Sequence, residues 1–399
     1  MSSLCLHPYT GAHKHTSPCG WERDPVDNYE IDCDKIFEGD DQAIDRWRFW
    51  PDPCDASDED LFNLSLDCRR LHEAYPFTFD FEFPQNDDYA NFPLAYVLVV
   101  EKNARQILKL LQAIYRPQNL YCITYDEHSE EFFKATMNNL RKCYPDNILM
   151  PEKHHEINWG GFSILEANIK YGEPYRYIGY FEENFVDVEK QKMNKPLPPG
   201  DLYIYKGSLA STLTREFTNF VFENTVAQQY YQYSKDMLIP EEQYWVTLIH
   251  NLHIRPPGGF PGMCKHYFWY RWKKKKPWIS RHQMWSYLGD PCEGFWTHKS
   301  CVYGLGDLWS LKSRPELMAH KFYLTYQPAT LYCLSKWMFE KTYTINNKES
   351  LDLDYYRKLP SVVYQNMPDK SKFNCLGDNE DWILDKNGTT FYEDEEDDT

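Results

Sequence analysis

The chain has 399 residues, 42% hydrophobic and 17% aromatic, enough to bury the core of one large domain or two of ordinary size. Its formal charge of -17 argues against nucleic acid as a partner, because a phosphate backbone is bound by a basic surface. The twelve cysteines form no CxxC pair, which leaves a zinc ribbon or thioredoxin-type site unsupported, and their wide spacing favours long-range disulfides in an oxidising compartment.

Residues 1–90 are polar, acidic and rich in proline and cysteine, which predicts a loop-rich stem region held by disulfides. Two N-glycosylation sequons, at Asn63 and Asn387, agree with a lumenal chain. The opening sequence MSSLCLHPYTGAHKH lacks the apolar core of a signal peptide. No stretch reaches the roughly 20 apolar residues of a membrane helix.

The segment 92–126 carries the clearest structural pattern. An apolar run from Leu94 to Val100 precedes apolar residues at helical spacing, Pro117 stops the helix, and a second apolar run ends at Asp126. Two parallel strands joined by one helix form a right-handed crossover. A carboxylate at the carboxyl end of the second strand lies where open α/β sheets bind nucleotides, so the pattern predicts a nucleotide site at Asp126.

The remaining elements are less regular. Residues 172–206 look irregular and 207–250 look helical, while 285–341 predict a small disulfide loop, then a strand, then two helices. Within residues 92–171, which include the crossover, the predicted helices are 103–115, 130–142 and 161–171. The chain therefore divides into an N-terminal region 1–90, a central domain 91–345 with a nucleotide-binding half 91–171 and a second half 172–345, and a C-terminal extension 346–399 with an acidic tail.

Three short segments of the crossover carry a family resemblance: FPLAY at 92–96, AIYRPQN at 113–119 and YCITYD at 121–126. On these the chain resembles the core-2/I-branching family of beta-1,6-N-acetylglucosaminyltransferases, over most of residues 30–340. The resemblance implies an α/β, GT-A-like glycosyltransferase fold with a Rossmann-like nucleotide-binding sheet, stabilised by disulfides. It also implies the Golgi lumen, with membrane attachment only through an N-terminal anchor that this sequence does not contain.

Glu242 is the candidate catalytic base. Its position beside Pro240 fits an ordinary helix start, where acidic residues are favoured by the helix dipole, and spacing alone favours that interpretation. The resemblance instead favours a catalytic role for Glu242, because the family's catalytic glutamate occupies the same motif. In this chain Trp245-Val246-Thr247-Leu248 completes the motif. An inverting sugar transfer needs one carboxylate to take the proton from the attacking hydroxyl. Glu241 is the alternative base.

The leaving diphosphate needs a positive partner. Two Asp-x-Asp triplets, at 32–34 and 352–354, could hold a divalent metal, but neither follows a nucleotide-binding strand and chance explains both. The resemblance instead implies a metal-free site in which Lys321 of the His-Lys-Phe motif binds the diphosphate. At the position of the family's second cation, an arginine, this chain has His298 with Lys299 beside it, a weaker phosphate ligand than a guanidinium. Whether His298 and Lys299 bind donor or are ordinary surface loop residues stays open.

The acceptor site is implied by Arg281-His282-Gln283-Met284-Trp285-Ser286-Tyr287, which matches a family segment. Trp285 and Tyr287 would form a platform for a sugar ring, although core packing is the commoner role of alternating aromatics in a strand. Glu182 is a looser match to the family's acceptor-binding glutamate.

The cysteines add to the resemblance, which implies the disulfides Cys33–Cys333, Cys68–Cys143 and Cys292–Cys301. Cys122 also has a family position, but no cysteine occurs near Lys170, where its partner would fall. A family segment of several dozen residues carrying a G-DFP motif is missing after Tyr171. Its loss would expose a sheet edge.

The expected function is inverting, metal-independent transfer of N-acetylglucosamine from UDP-N-acetylglucosamine to the 6-hydroxyl of galactose or N-acetylgalactosamine on a glycan. The partners are then a UDP-sugar donor and a glycan acceptor, with no cofactor. The alternatives are a catalytically inactive relative, a xylosyltransferase-like enzyme, and a secreted disulfide-rich interaction protein.

Overall fold

The computed structural model of the protein describes residues 31–52, 56–77, 92–158, 160–170, 184–185, 197–261, 279–286, 289–343 and 352–373. Within these ranges the α-helices are α1 (Cys33–Glu38), α2 (Asp41–Trp47), α3 (Asp58–Ser65), α4 (Cys68–Ala74), α5 (Ala104–Ile114), α6 (Glu131–Cys143), α7 (Phe162–Lys170), α8 (Arg215–Glu223), α9 (Thr225–Tyr233), α10 (Tyr244–His250), α11 (Leu308–Lys312), α12 (Ala329–Tyr343), α13 (Leu353–Arg357) and α14 (Pro360–Asn366). The strands are β1 (Ala95–Val100), β2 (Leu120–Tyr125), β3 (Ile148–Leu149), β4 (Asn184–Phe185), β5 (Tyr205–Lys206), β6 (Arg281–Gln283), β7 (Phe295–Thr297), β8 (Ser300–Val302) and β9 (Met318–His320).

The main sheet is parallel, with the order β1-β2-β3. Helix α5 connects β1 to β2, and α6 connects β2 to β3, as the alternating pattern predicts. Helix α5 begins after Asn103, whose side chain accepts a hydrogen bond from the backbone N–H of Gln106, and it ends where Tyr115 becomes extended shortly before Pro117. The predicted α/β architecture is confirmed, and it is consistent with a GT-A-like arrangement.

The core around this sheet is apolar. Residues at helical spacing on α5 and α6 meet alternate residues of β2, and the cluster also takes in α3 and α4. In the described part of the chain β1 pairs with β2 alone, so its other edge has no strand neighbour there, and α7 contacts β1 instead. The main fully buried contributors are Leu61, Leu71, Leu108, Leu111, Tyr121, Ile123, Phe133, Met137 and Leu140.

The prediction of a loop-rich N-terminal region is wrong for the described residues 31–77, which contain α1 to α4. The polar residues that resembled loop composition are helix N-caps, whose side-chain oxygens accept hydrogen bonds from the first turn. Helices α1 and α2 pack against residues of the 284–334 region, whereas α3 and α4 pack on the main sheet. The four N-caps are Asp32, Asp40, Ser57 and Asp67.

The segment 207–250 is only partly helical. Helices α8, α9 and α10 confirm the prediction, but residues 207–214 are extended or irregular and Pro240–Glu242 form a short 3-10 turn. Aromatic residues fill the core between these helices, with Tyr230 and Tyr244 stacked at 5.5 Å between ring centroids.

The region 285–341 contains more strands than predicted. Strands β7 and β8 form an antiparallel hairpin, and β9 pairs in parallel with β6, which lies just before this region. Each of these strands has three residues, too few to show an alternating pattern in the sequence. The two predicted helices are present as α11 and α12.

The structure contains all three disulfides that the resemblance implied, with Cα–Cα distances of 5.3 Å for Cys33–Cys333, 5.2 Å for Cys68–Cys143 and 5.9 Å for Cys292–Cys301. The thiol of Cys122 is unpaired within the described residues, and burial raises its pKa to about 11. Among those residues, no helix is long and apolar enough to cross a bilayer.

The C-terminal helices α13 and α14 pack onto the central domain 91–345. Tyr355 and Leu359 form a small buried cluster with Ile279, and the Tyr356 hydroxyl donates to the Pro315 carbonyl at 2.7 Å. Phe260 contacts the ring of Tyr364. The described residues 352–373 are therefore part of the folded body.

Candidate active site

Glu242 lies at the end of the 3-10 turn Pro240–Glu242, directly before α10. Its side chain is 33% exposed, and its Oε2 atom is 3.5 Å from Nζ of Lys206 on β5. The backbone carbonyl of Glu242 accepts a hydrogen bond of 2.6 Å from the N–H of Gly207. The carboxylate is thus accessible to a substrate while its backbone is held by the strand that carries Lys206.

Glu241, the alternative base, is placed differently. The residue is only 4% exposed, and its Oε2 atom has no hydrogen-bond partner among the described residues. Burial, together with the negative charge of Glu242, raises the pKa of Glu241 to about 7. A general base must come within hydrogen-bond reach of the proton it takes, so accessibility favours Glu242 over Glu241.

Lys321 follows the end of β9 and is held by backbone bonds to the β8 segment. Its N–H donates to the Cys301 carbonyl at 3.3 Å, and its carbonyl accepts from the Tyr303 N–H at 2.9 Å. The neighbouring His320 is half-buried. Burial, with the nearby cations Arg281 and Lys321, lowers the pKa of His320 to about 3, so this histidine is neutral near physiological pH. The positive charge at this end of β9 therefore belongs to Lys321 and Arg281.

His298 and Lys299 form the exposed two-residue turn between β7 and β8. Their φ values are 47° and 63°, the left-handed region that tight hairpin turns use at both central positions. The Lys299 carbonyl accepts a hydrogen bond from the Ser286 N–H at 2.9 Å, and Trp285 pairs with Ser300. Strand β8 thus brings together the predicted donor residues Lys299 and Lys321 and the predicted acceptor residue Trp285, which is half-buried.

Asp126 lies at the carboxyl end of β2, as predicted, and pairs with His155. Its Oδ1 atom accepts hydrogen bonds from the backbone N–H groups of His128 at 3.0 Å and Ile157 at 3.4 Å. One carboxylate oxygen therefore stabilises the turn after β2. The position agrees with a nucleotide site, and the role of Asp126 in binding uridine stays a prediction.

Two sets of contacts join the site elements to the main sheet. The side-chain amide of Gln106, in the first turn of α5, donates to the Phe322 carbonyl at 3.0 Å and accepts from the Leu324 N–H at 3.1 Å. This fixes the segment immediately after Lys321. Helix α7 contacts both β1 and the turn that carries Glu242, next to a hydrogen bond of 2.9 Å from the Ile239 N–H to the Gly160 carbonyl.

Further contacts run from the strand beside Glu242, through β6, to the end of β9 that precedes Lys321. Ser208, two residues after Lys206, accepts a 3.5 Å contact from Nη2 of Arg281 on β6. The β6–β9 pairing places Gln283 opposite His320, next to Lys321. No sequence motif indicates Lys206 or Gln106, because each contacts the candidate site through residues that are distant in the chain: Lys206 through Glu242, and Gln106 through the segment after Lys321.

The remaining predicted residues fall into three groups. Tyr287, Glu182 and Asn387 lie outside the described residues. Asn63 is exposed on α3, a position open to a glycan. In the Asp-x-Asp triplets, Asp32 and Asp352 are helix N-caps that accept from the N–H groups of Lys35 and Tyr355. Both residues therefore have structural roles as caps.

Comparison with known proteins adds to this geometry. The sequence model of the Core-2/I-branching enzyme family matches residues 94–171 and 177–290. The chain belongs to the Core-2/I-branching enzyme family. The matched segments include Asp126, Lys206, Glu242 and Trp285. The match is interrupted at residues 172–176, directly after Tyr171, where the resemblance led us to expect a missing segment.

Similar proteins extend over most of the chain. A human N-acetyllactosaminide beta-1,6-N-acetylglucosaminyl-transferase is 28% identical over 375 residues, covering 80% of this chain and 86% of the relative. A pig protein described as a probable beta-1,3-galactosyl-O-glycosyl-glycoprotein beta-1,6-N-acetylglucosaminyltransferase 7 is 26% identical, covering 82% and 84%. A zebrafish beta-1,3-galactosyl-O-glycosyl-glycoprotein beta-1,6-N-acetylglucosaminyltransferase 4 is 25% identical, covering 85% and 90%. This member of the branching-enzyme family is a glycosyltransferase.

Proposed function

We propose that the protein transfers N-acetylglucosamine from UDP-N-acetylglucosamine to the 6-hydroxyl of galactose or N-acetylgalactosamine on a glycan, with inversion and without a metal. The compartment we propose is the Golgi lumen. The donor sugar and the linkage rest on the beta-1,6-N-acetylglucosaminyltransferase descriptions of the similar proteins. The observation that carries the proposal for this chain is the accessible carboxylate of Glu242, held by the strand segment that leads to the cationic end of β9.

In the proposed reaction Glu242 takes the proton from the acceptor 6-hydroxyl as its oxygen attacks the anomeric carbon of the donor. The bond between that carbon and the diphosphate oxygen breaks on the opposite face, so the configuration inverts and UDP leaves with the electron pair. Lys321, assisted by Lys299 or His298, neutralises the charge that develops on the diphosphate. Asp126 binds the uridine end, and Trp285, Tyr287 and Glu182 bind the acceptor.

The direct test is transfer from UDP-N-acetylglucosamine to a galactose-terminated acceptor in the presence of EDTA, with the new linkage assigned by NMR. We expect a beta-1,6-linked product at a rate that EDTA does not change. Lys321→Ala should lower kcat/KM by about 100-fold, because a preorganised positive charge on the leaving group is lost. Lys336→Ala, which removes a lysine of α12 paired with Glu340, is the matched control and should retain activity. A rate that collapses in EDTA would contradict metal independence.

The second candidate is a non-catalytic relative. Two observations favour it: the break in the family match at 172–176, and the β1 edge of the main sheet, which has no strand neighbour among the described residues. Equal background UDP release by the wild type and by Glu242→Gln would support this candidate. A xylosyltransferase-like enzyme would instead be protected from heat more strongly by UDP-xylose than by UDP-N-acetylglucosamine. The absence of any thermal shift with UDP would favour an interaction protein.

A further inference from the structure

Lys206 is the partner of Glu242 that no sequence motif indicates. Its Nζ atom is 3.5 Å from Oε2 of Glu242, and within the described residues this is the ionic contact that Glu242 makes. The lysine side chain is 44% exposed, so the pair lies at the surface of the site, where a substrate can reach it. The ammonium group of Lys206 therefore contacts one of the two carboxylate oxygens of Glu242.

The position of Lys206 is fixed by an unusual docking of its strand onto α10. Every second residue of the segment 203–207 forms hydrogen bonds to one face of α10 and the turns at its two ends. The residue before Lys206 and the residue after it are both bonded in this way. The pairs are Tyr203 with Asn251 (2.9 Å and 2.8 Å), Tyr205 with Thr247 (3.0 Å and 3.3 Å), and Gly207 with Glu242 (2.6 Å).

The α10-side partners Thr247 and Asn251 are buried and frame the strand. The Thr247 side chain is fully buried, and Asn251 is nearly so while it also donates to the Thr247 carbonyl at 2.7 Å. Because strand residues alternate in direction, the bonds of Tyr205 and Gly207 to α10 determine where the intervening Lys206 side chain projects. The short Lys206–Glu242 separation is therefore built into the fold by backbone contacts on both sides.

A base that must meet one hydroxyl proton benefits from a fixed orientation. A carboxylate on a freely rotating glutamate side chain samples several rotamers, and small displacements of a reacting group cost large factors in rate. An ammonium on Oε2 restricts that motion and leaves Oε1 to accept the proton. We propose that Lys206 is a positioning residue that holds the Glu242 carboxylate for proton abstraction; this inference rests on the proposed function of Glu242.

A purely structural ion pair would behave differently. Exposed pairs of this kind contribute little to the free energy of unfolding, so removing the charge should hardly change stability. A positioning role should lower kcat while both KM values stay near those of the wild type, because the ground-state contacts of donor and acceptor remain. A substrate-binding role would instead raise the KM of one substrate.

The test compares Lys206→Met, Lys206→Arg and Lys35→Met. Lys35 on α1 forms an ion pair of 3.1 Å with Asp32 at similar exposure, which makes it the matched control. Lys206→Met should lower kcat roughly tenfold, with both KM values within about twofold of wild type and an unchanged melting temperature. Lys206→Arg, which keeps the charge, should recover most of kcat, and Lys35→Met should match the wild type.

Three outcomes would overturn the inference. The first is wild-type kcat in Lys206→Met, the second is a raised KM with unchanged kcat, and the third is an arginine variant as slow as the methionine variant. Failure of the proposed function is distinguishable from these outcomes. In that case the wild type and Lys35→Met would transfer nothing from any UDP-sugar, and the inference would fall with the function.

Zero-length crosslinking tests the geometry without relying on turnover. A carbodiimide activates the Glu242 carboxyl, and the Lys206 amine then displaces the urea to form an isopeptide bond between the two side chains. Mass spectrometry of the digested wild type should show the 206–242 crosslinked peptide, and Glu242→Gln should not give it. Absence of that peptide from the wild type would contradict the pairing.

Discussion

The main-sheet region and the β6–β9 region are filled by different chemistry. Around β1 to β3 the core consists of apolar side chains, with the Arg105–Asp52 ion pair at its edge. Next to β6 and β9 the interior holds ionisable groups, above all the fully buried carboxylate of Glu316. The first region stabilises itself by burial of apolar area, whereas the second depends on partners that neutralise one another.

The buried charges of the β6–β9 region form one network. Glu316 accepts a hydrogen bond from Nε of Arg314 at 3.0 Å and lies 3.3 Å from Nδ1 of His282. Burial alone would raise the pKa of Glu316, but the hydrogen bonds and charges of His282 and Arg314 outweigh it and lower the pKa to about 2. The network lies beside β6, which begins with Arg281, and β9, which ends just before Lys321. It therefore supports the cationic side of the site.

The largest expected effect on stability is in the apolar region. Phe133→Ala on α6 removes a fully buried ring and should lower the free energy of unfolding by about 3–5 kcal/mol, independently of pH, as measured by urea denaturation. Phe132→Ala is the matched control, because that neighbouring ring is 43% exposed, and it should cost less than about 1 kcal/mol. Equal losses in the two variants would mean that α6 is oriented differently.

Glu316→Gln probes the charged region in the same way. Because the pKa of Glu316 is lower in the folded protein than its ordinary value of 4.5, its ionisation stabilises the fold above pH 4.5, and that stabilisation is lost as pH falls towards 2. The variant should be less stable by about 3 kcal/mol at pH 7, with a gap that narrows below pH 4.5. A gap that does not depend on pH would contradict the network and remove the contrast with Phe133→Ala.

Glu241→Gln should show the opposite dependence on pH. The pKa of Glu241 is raised from 4.5 to about 7, so the wild type loses stability as pH rises through that interval, when a buried carboxyl must ionise. The neutral variant avoids this loss. Relative to pH 4.5, it should gain about 3 kcal/mol over the wild type by pH 8, measured by chemical denaturation at both values. Parallel stability curves would show that Glu241 is solvated.

The smallest effect concerns the link between the two regions. Gln106→Leu removes two hydrogen bonds to the segment after Lys321 and should cost about 1–2 kcal/mol of stability. It should also weaken UDP binding several-fold in calorimetry, because Lys321 loses its support. Gln112→Leu, on the same helix with a single long bond to the Pro76 carbonyl, is the control. If both variants bind UDP equally well, the two regions are coupled by other contacts.

The same contrast explains what could be predicted from the sequence. Helix α5 was predictable because Ile107, Leu108 and Leu111 repeat at helical spacing, and Asp126 follows an apolar run at the expected sheet edge. The buried state of Glu241 and the parallel pairing of β6 with β9 were not, since each depends on contacts with residues far away in the chain. Helices α1 to α4 were not predictable from their polar N-caps, because a cap and a loop use the same residue types.

The candidate site divides along the same line. The family resemblance indicated Glu242, Lys321 and the three disulfides. Local sequence patterns such as apolar spacing or helix capping would not have assigned a role to any of them. Lys206 shows the limit of motif-based reasoning, because its relation to Glu242 is created by the docking of β5 on α10. Local patterns thus predict the scaffold, whereas the site depends on long-range contacts.

The most direct measurement of the central claim is the rate of sugar transfer by Glu242→Gln and Glu241→Gln, assayed side by side with UDP-N-acetylglucosamine. The two positions are adjacent and the substitutions are isosteric, so they differ mainly in accessibility. We expect Glu242→Gln to lose at least about 100-fold in kcat, because the proton acceptor is gone, and Glu241→Gln to stay within a few-fold of the wild type. Full activity in Glu242→Gln, or loss of transfer confined to Glu241→Gln, would contradict the assignment of the base.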